Sequence, residues 1–186
     1  DIRSYEKLWS ADVLCLQETW LDVTVERDDN LAIVGRQHAL ISAGKGKGLA
    51  FYFAPNFEEG LKIVQPQYQI ATVKSRDIMV VNVYRSKPAC DRDFIEHFLE
   101  VLDQDLDGQP IILVVGDFNF CEREEAFHPI RTMLLDNQFV SLFPTPVASH
   151  MEGRCLDQAY VKNIEETQLH CSASIGTSSF SDHDPV

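Results

Sequence analysis

The sequence predicts an α/β fold in which two β-sheets pack together with helices outside them. Three observations point there. Apolar, β-branched runs of strand length recur along the chain, as in Asp12–Gln17, Leu49–Phe53 and Ile111–Val115. Two stretches between such runs show helical spacing instead, around Phe94–Leu106 and Pro129–Asn137. Strand runs outnumber helices, and the helices fall between strands, which favours packed sheets with flanking helices over a bundle.

Taken in order, residues 2–10 mix polar and apolar side chains and read as the end of a helix. Val13-Leu-Cys-Leu16 is a short apolar strand, and Leu31–Val34 is a second apolar run. Gly44-Lys-Gly-Lys-Gly48 is a flexible turn leading into the aromatic strand Leu49–Phe53. Gln69–Ser75 and Ile78–Tyr84 form a hairpin around Arg76-Asp77. Phe94, Phe98, Leu99, Leu102 and Leu106 then mark one helix face. Asp93 with Glu96 resembles a capping box, and Gly108-Gln-Pro110 closes the helix. Ile111-Ile-Leu-Val-Val115 has no polar interruption and reads as a strand buried on both faces. Ile130, Met133 and Leu134 are the inward side of a second helix. Pro144-Thr-Pro146 opens a loop, and Leu156–Val161 and Leu169–Ile175 are two late strands.

A chain of 186 residues, 45% hydrophobic and 24% charged, has the material for one globular domain. Its 16 basic and 29 acidic residues leave a net charge of −13. That balance argues against a protein that grips nucleic acid through an extended basic face, so a nuclease of this composition needs a local cationic patch or a bound metal. The five cysteines include no C-x-x-C pair, which speaks against a zinc site or a disulfide framework and for reducing, intracellular surroundings. No apolar stretch is long enough to span a bilayer. The chain starts at Asp1 without Met and stops at Asp184-Pro-Val186, so it reads as a segment of a larger polypeptide.

The chemistry gathers where strands end. Glu18 follows the first strand directly. Gly116-Asp-Phe-Asn119 follows the buried run, and side chains two apart on an extended chain share a face, so Asp117 and Asn119 point to one site and Phe118 into the core. Ionisable groups placed just beyond a buried strand are typical of open α/β sites. Asp157 ends Gly153-Arg-Cys-Leu-Asp, and Ser181-Asp-His183-Asp-Pro185 sets a histidine between carboxylates, which suit it to proton transfer. Alone, Glu18 and Asp157 would be solvated acids and Asp117 with Asn119 an ordinary turn. Together and in this order, Leu16-Gln-Glu-Thr19, Gly116-Asp-Phe-Asn119, Arg154-Cys-Leu-Asp157 and Ser181-Asp-His183 resemble the signature of the endonuclease/exonuclease/phosphatase superfamily, over nearly the whole chain.

That resemblance implies a four-layer α/β sandwich of two mixed sheets, spanning residues 1–186, and a phosphodiester hydrolase that depends on Mg²⁺, with Mn²⁺ a possible substitute. It implies Glu18 and Asp182 as metal ligands and Asp117 as the base that aims and deprotonates water. Asn119 would hold the nucleophile or a phosphate oxygen. Asp157 would keep His183 cationic toward the developing oxyanion, and Tyr84 of Asn82-Val-Tyr84 would bind the same phosphate. Arg85 is a candidate phosphate ligand, and Trp20 a candidate for stacking on a base. Lys45, Lys47 and Lys87 are further candidates for a cationic patch. The wording of Val83-Tyr-Arg-Ser86 and of Gly153–Asp157 is similar to endonuclease domains of mobile elements, such as non-LTR retrotransposons or Helitron-type transposons. DNA is then the expected substrate and the nucleus the expected location. The acidic charge keeps a phosphatase or phosphodiesterase of inositol, lipid or other small phosphates as the alternative. Three departures from the family pattern stand out. Asp1 lies too close to Glu18 for the family's upstream Asn, and the family's last strand, beyond the Asp-His pair, is missing, so truncation at both ends is expected. Arg85-Ser-Lys-Pro88 also replaces the Asn that follows this Tyr in apurinic endonucleases.

Overall fold

The computed structural model describes residues 10–21, 32–87, 89–103, 111–121, 127–143, 148–163 and 171–174. Within them lie strands β1 (Val13–Gln17), β2 (Gln37–Ile41), β3 (Leu49–Phe53), β4 (Glu58–Gln65), β5 (Tyr68–Lys74) and β6 (Ile78–Arg85). Helix α1 (Asp91–Asp103), β7 (Ile111–Asp117), helix α2 (Pro129–Asp136), β8 (Val140–Ser141) and β9 (Asp157–Lys162) complete the order.

The strands form two sheets. The smaller has three strands in the order β1-β3-β2. Its pairings among the described residues are antiparallel. The larger has six strands in the order β4-β5-β6-β7-β9-β8 and is mixed, because β6 and β7 run parallel on either side of the α1 crossover. The inner face of the small sheet, with Ala39, Ile41, Leu49, Phe51 and Phe53, packs on Ala71, Val73, Val80 and Tyr84 of the large one. The opposite face of the large sheet, with Ile70, Val81, Val83, Val114 and Tyr160, is covered by Phe94 and Phe98 of α1 and Ile130 and Leu134 of α2. This is the predicted sandwich of two packed sheets with flanking helices. The helix end expected over residues 2–10 falls outside the described residues except for Ser10, which is in a turn.

Helix α1 turns Phe94, Phe98, Val101 and Leu102 inward at helical spacing. It begins at Asp91, earlier than the Asp93–Glu96 box implied, and Asp91 and Asp93 in its first turn oppose the positive end of the helix dipole. Helix α2 starts as predicted. Pro129 occupies its first turn, and the His128 ring accepts the Ile130 amide at 3.3 Å. Leu31–Val34 is not a strand where it is described: Val34 sits in a fully exposed turn, and the strand follows at Gln37. Residues 171–174 are likewise not strand, and the rest of the run expected there lies outside the described residues.

A buried amide joins the two sheets. Asn82 is wholly buried, accepts from Gln17 Nε2 at 2.5 Å and donates to the carbonyls of Leu16 and Ala50 at 3.2 and 3.3 Å. Its oxygen and nitrogen both find partners, which is what makes a polar group tolerable in this interface. The effect is to fix the C-terminal end of β1, and with it Glu18, against the strand that carries Tyr84.

Candidate active site

Three candidate residues share one rung of the large sheet. Tyr84 on β6 pairs with Asp117 on β7, and Asp117 pairs with Asp157 on β9. Paired residues project from the same face, so a phenol and two carboxylates stand side by side at the edge of the intersheet core. Asp117 is buried and Asp157 half-buried.

Glu18 reaches this rung from the small sheet. Tyr84 Oη lies 2.7 Å from Glu18 Oε1 and 3.2 Å from the Gly46 carbonyl, so its single proton has two acceptors within reach. Burial first, then the hydrogen bond and charge of Glu18, and then the charge of Asp117 push the phenol well above its ordinary pKa. Tyr84 therefore keeps its proton at neutral pH and acts as a hydrogen-bond donor. Because Glu18 and Asp117 both act on this hydroxyl, the acids predicted to work together do converge. The groups of Asp182 and His183, including the predicted pairing of His183 with Asp157, lie outside the described residues.

Beyond Asp117 the chain turns sharply. Asn119 adopts φ 53°, so the extended geometry assumed from the sequence ends at Asp117. The turn achieves the same convergence by another route. Asn119 N donates to Asp117 Oδ1 and Asn119 Nδ2 to Asp117 Oδ2, both at 2.8 Å. These two bonds fix the plane of the carboxylate. Phe118 between them is fully buried among Phe94, Phe120 and Tyr160, as predicted.

A glycine–lysine loop borders Glu18. Both Glu18 (φ 49°) and Trp20 (φ 56°) have left-handed backbone, a conformation that ordinary residues adopt only when the surroundings enforce it. Here the enforcement comes from loop 44–48, whose Gly48 and Lys47 carbonyls accept the Thr19 and Trp20 amides at 3.3 and 3.1 Å. Trp20 stays 57% exposed, with Lys45 Nζ 5.8 Å from its ring centre. Lys47 is engaged with the Pro66 carbonyl. The sequence marked this segment as a flexible turn whose Lys45 and Lys47 could supply a cationic patch, but not as a brace for Glu18. Its alternating glycines were the available signal, since Gly44, Gly46 and Gly48 all take positive φ.

Arg85 is not placed to bind substrate, contrary to expectation. It follows Tyr84 on the strand and so points to the opposite face, where it is only 5% exposed. Its guanidinium donates to the Phe118 and Ala89 carbonyls and forms an ion pair with Asp91. Cations near the site come instead from the 44–48 loop.

The described residues that converge here offer a metal carboxylate and amide oxygens. Among the described residues no three His, Cys, Asp or Glu groups form a metal cluster. A set of one or two carboxylates completed by water and substrate suits Mg²⁺ or Mn²⁺, and Glu18, exposed at the site's rim, fits that chemistry.

The fold is shared with several phosphate-processing proteins. An AP endonuclease from Archaeoglobus fulgidus matches with a TM-score of 0.68 at 17% identity, covering 96% of this chain and 88% of that one. The 3'-5' exonuclease NExo from Neisseria meningitidis matches at 0.69 and 19% identity, covering 98% and 91%. The endonuclease domain of TRAS1, a telomere-specific non-LTR retrotransposon, matches at 0.66 and 12% identity, covering 95% and 83%. No curated protein matches the sequence. No helix among the described residues is long and apolar enough to cross a membrane. The model of the Endonuclease/Exonuclease/phosphatase family matches residues 1–183, and the chain belongs to that family.

Proposed function

We propose that this chain is a Mg²⁺-dependent phosphodiesterase that nicks DNA for a mobile element, as one domain of a larger polypeptide. The observation that carries the hydrolytic reading is the single rung of Tyr84, Asp117 and Asp157 lying against Glu18. The family supports hydrolysis of phosphate esters, and the fold shared with the TRAS1 endonuclease domain supports the mobile-element reading. Such an enzyme would work in the nucleus.

Glu18 and Asp182 would hold Mg²⁺, or Mn²⁺ in its place; once bound, the ion neutralises charge on the phosphate oxygens. Asp117 accepts the proton of the attacking water while Asn119 keeps its carboxylate in one orientation. Tyr84, still protonated, offers its O–H to a phosphate oxygen in competition with Glu18 and Gly46. His183, oriented by Asp157, hydrogen-bonds the oxyanion. With Mg²⁺ the chain is expected to convert supercoiled plasmid to nicked circles, and excess chelator or His183→Ala to stop it. Undiminished nicking in chelator would defeat the metal-dependent reading.

Trp20 and Lys45 favour a nucleic-acid substrate, because an exposed aromatic plane beside a cation and next to Glu18 suits a base flanking the scissile phosphate. Stacking contributes roughly 1–3 kcal/mol per base. Trp20→Ala should therefore raise KM for DNA by about tenfold and leave hydrolysis of a phosphodiester without bases unchanged. An unaltered KM on DNA would count against stacking. The net charge of −13 favours the second reading, a phosphatase or phosphodiesterase of inositol, lipid or other small phosphates. Release of phosphate from such a substrate, without plasmid nicking, would establish it.

A further inference from the structure

We infer that Arg85 is a positioning residue that holds the Asp117–Asn119 turn in its working geometry from behind the sheet. The inference rests on the hydrolase reading only for its effect on turnover. Its basis is the backbone of Phe118, the residue between the two site side chains. The Phe118 amide donates to the Leu156 carbonyl at 3.1 Å, and its carbonyl accepts from Arg85 Nη1 at 3.2 Å. Leu156 immediately precedes Asp157, and Arg85 immediately follows Tyr84. Each edge of the Asp117–Asn119 segment is thus fastened to the direct neighbour of another site residue.

Arg85 has little freedom to do anything else. Its Nη2 donates to the Ala89 carbonyl at 3.1 Å and meets Asp91 in an ion pair, so the guanidinium joins β6, the entry to α1 and the turn after β7. The fixed planar fork of arginine makes these contacts together, which a lysine cannot do. Its Nε is buried without a hydrogen-bond partner. A buried guanidinium with an N–H left unsatisfied is costly, so this site is not arranged for stability alone. Asp91 is steadied in turn by His128, whose Nε2 is 3.7 Å from Asp91 Oδ2 and whose ring stacks on Phe120 at 4.0 Å. Phe120 is the next buried residue along the same turn, and Gln158 Nε2 donates to its carbonyl at 2.9 Å. The turn bearing Asn119 is therefore anchored at both of its flanking phenylalanines.

Loss of this anchor should misplace the Asp117 carboxylate without removing any group that touches substrate. Misplacement on the scale of an ångström costs about a hundredfold in rate. Arg85→Gln, assayed on plasmid well below its melting midpoint, should lower kcat by about tenfold to a hundredfold and change KM little. Arg85→Lys should recover only part of that loss. Amide exchange at Asn119, whose N–H is bound to Asp117, should speed up in Arg85→Gln whether or not the protein cleaves anything. An unchanged Asn119 exchange rate would overturn the inference, as would a kcat equal to wild type in the folded protein. A raised KM with kcat intact would overturn it in favour of phosphate binding. If Arg85→Gln does not fold, Asp91→Asn keeps an acceptor while removing the charge that seats the guanidinium. It should still lower kcat and speed Asn119 exchange, and no change in either would overturn the proposal. Wild-type protein that cleaves neither DNA nor small phosphates would refute the hydrolase reading and leave the exchange measurement to decide the role of Arg85.

Discussion

Asp117→Asn is expected to lower kcat by about a thousandfold while leaving the fold intact and KM nearly unchanged. The substitution is isosteric, and the site can absorb it. In the native turn both carboxylate oxygens accept from Asn119, one from its backbone N–H and one from its side-chain amide. After substitution the new amide oxygen still accepts the backbone N–H. The new NH₂ then faces the Asn119 side chain, whose amide restores the bond by rotating to present its own oxygen. The cost in stability should be about 1 kcal/mol, the scale of a rearranged hydrogen bond. What cannot be restored is basicity, because an amide does not take a proton from water near neutral pH. A general base contributes roughly 10²–10⁴-fold, and Asp117 is the carboxylate on the shared rung that the chain holds in a fixed plane. Steady-state nicking with the folded variant checks this. A kcat within tenfold of wild type would move the base to another residue.

The same residues show what sequence could and could not disclose. The placement of Glu18 and Asp117 at strand ends was legible because each closes a β-rich apolar run, and strand ends are where a packed α/β fold exposes polar groups. Strands β3, β5, β6, β7 and β9 were legible for the same reason, through side chains that sheets bury. β4 was not. It is an edge strand with no fully buried residue, and its register slips between Glu59 and Lys62, so the inward alternation of Leu61 and Ile63 covers too few residues to be read as a strand. β2 was not marked either, and the nearby apolar run Leu31–Val34 ends in an exposed turn, since apolar character alone does not separate a strand from a turn. Arg85 was misread for a different reason. Its candidacy came from the family resemblance, as a stand-in for the Asn that follows this Tyr, whereas with Tyr84 in the site the period of two along β6 sends Arg85 to the helix-covered face. The turn at Asn119 was legible only as an alternative, because Asp and Asn also form turns; positive φ there is fixed by the local bonds to Asp117 and by the clamps on Phe118.

Gly116→Ala should be strongly destabilising, costing about 4 kcal/mol or more and sharply lowering the denaturant midpoint. A Cβ at position 116 would lie 1.9 Å from the Val83 carbonyl oxygen and within 3 Å of the Val83 carbonyl carbon and nitrogen. These are backbone atoms of the adjacent parallel strand, paired in register with Gly116, so no side-chain rotation relieves the overlap. The backbone at φ 146° adds strain for any residue with a Cβ. Glycine here thus does more than end a strand, since β7 continues through it to Asp117. Gly35→Ala provides the comparison. Gly35 also has positive φ, at 79°, but nothing lies within 4 Å of its Cβ position, so its cost should be about 1–2 kcal/mol of backbone strain alone. Denaturant midpoints of the two variants test the difference, and similar values would show that β6 and β7 can separate to admit a methyl group. The consequence would reach the site directly. The rung after Val83 and Gly116 is Tyr84 and Asp117, so strands that moved apart to accept Cβ would also separate the phenol from the carboxylate. Any Gly116→Ala protein that does fold should therefore lose turnover out of proportion to its loss of stability.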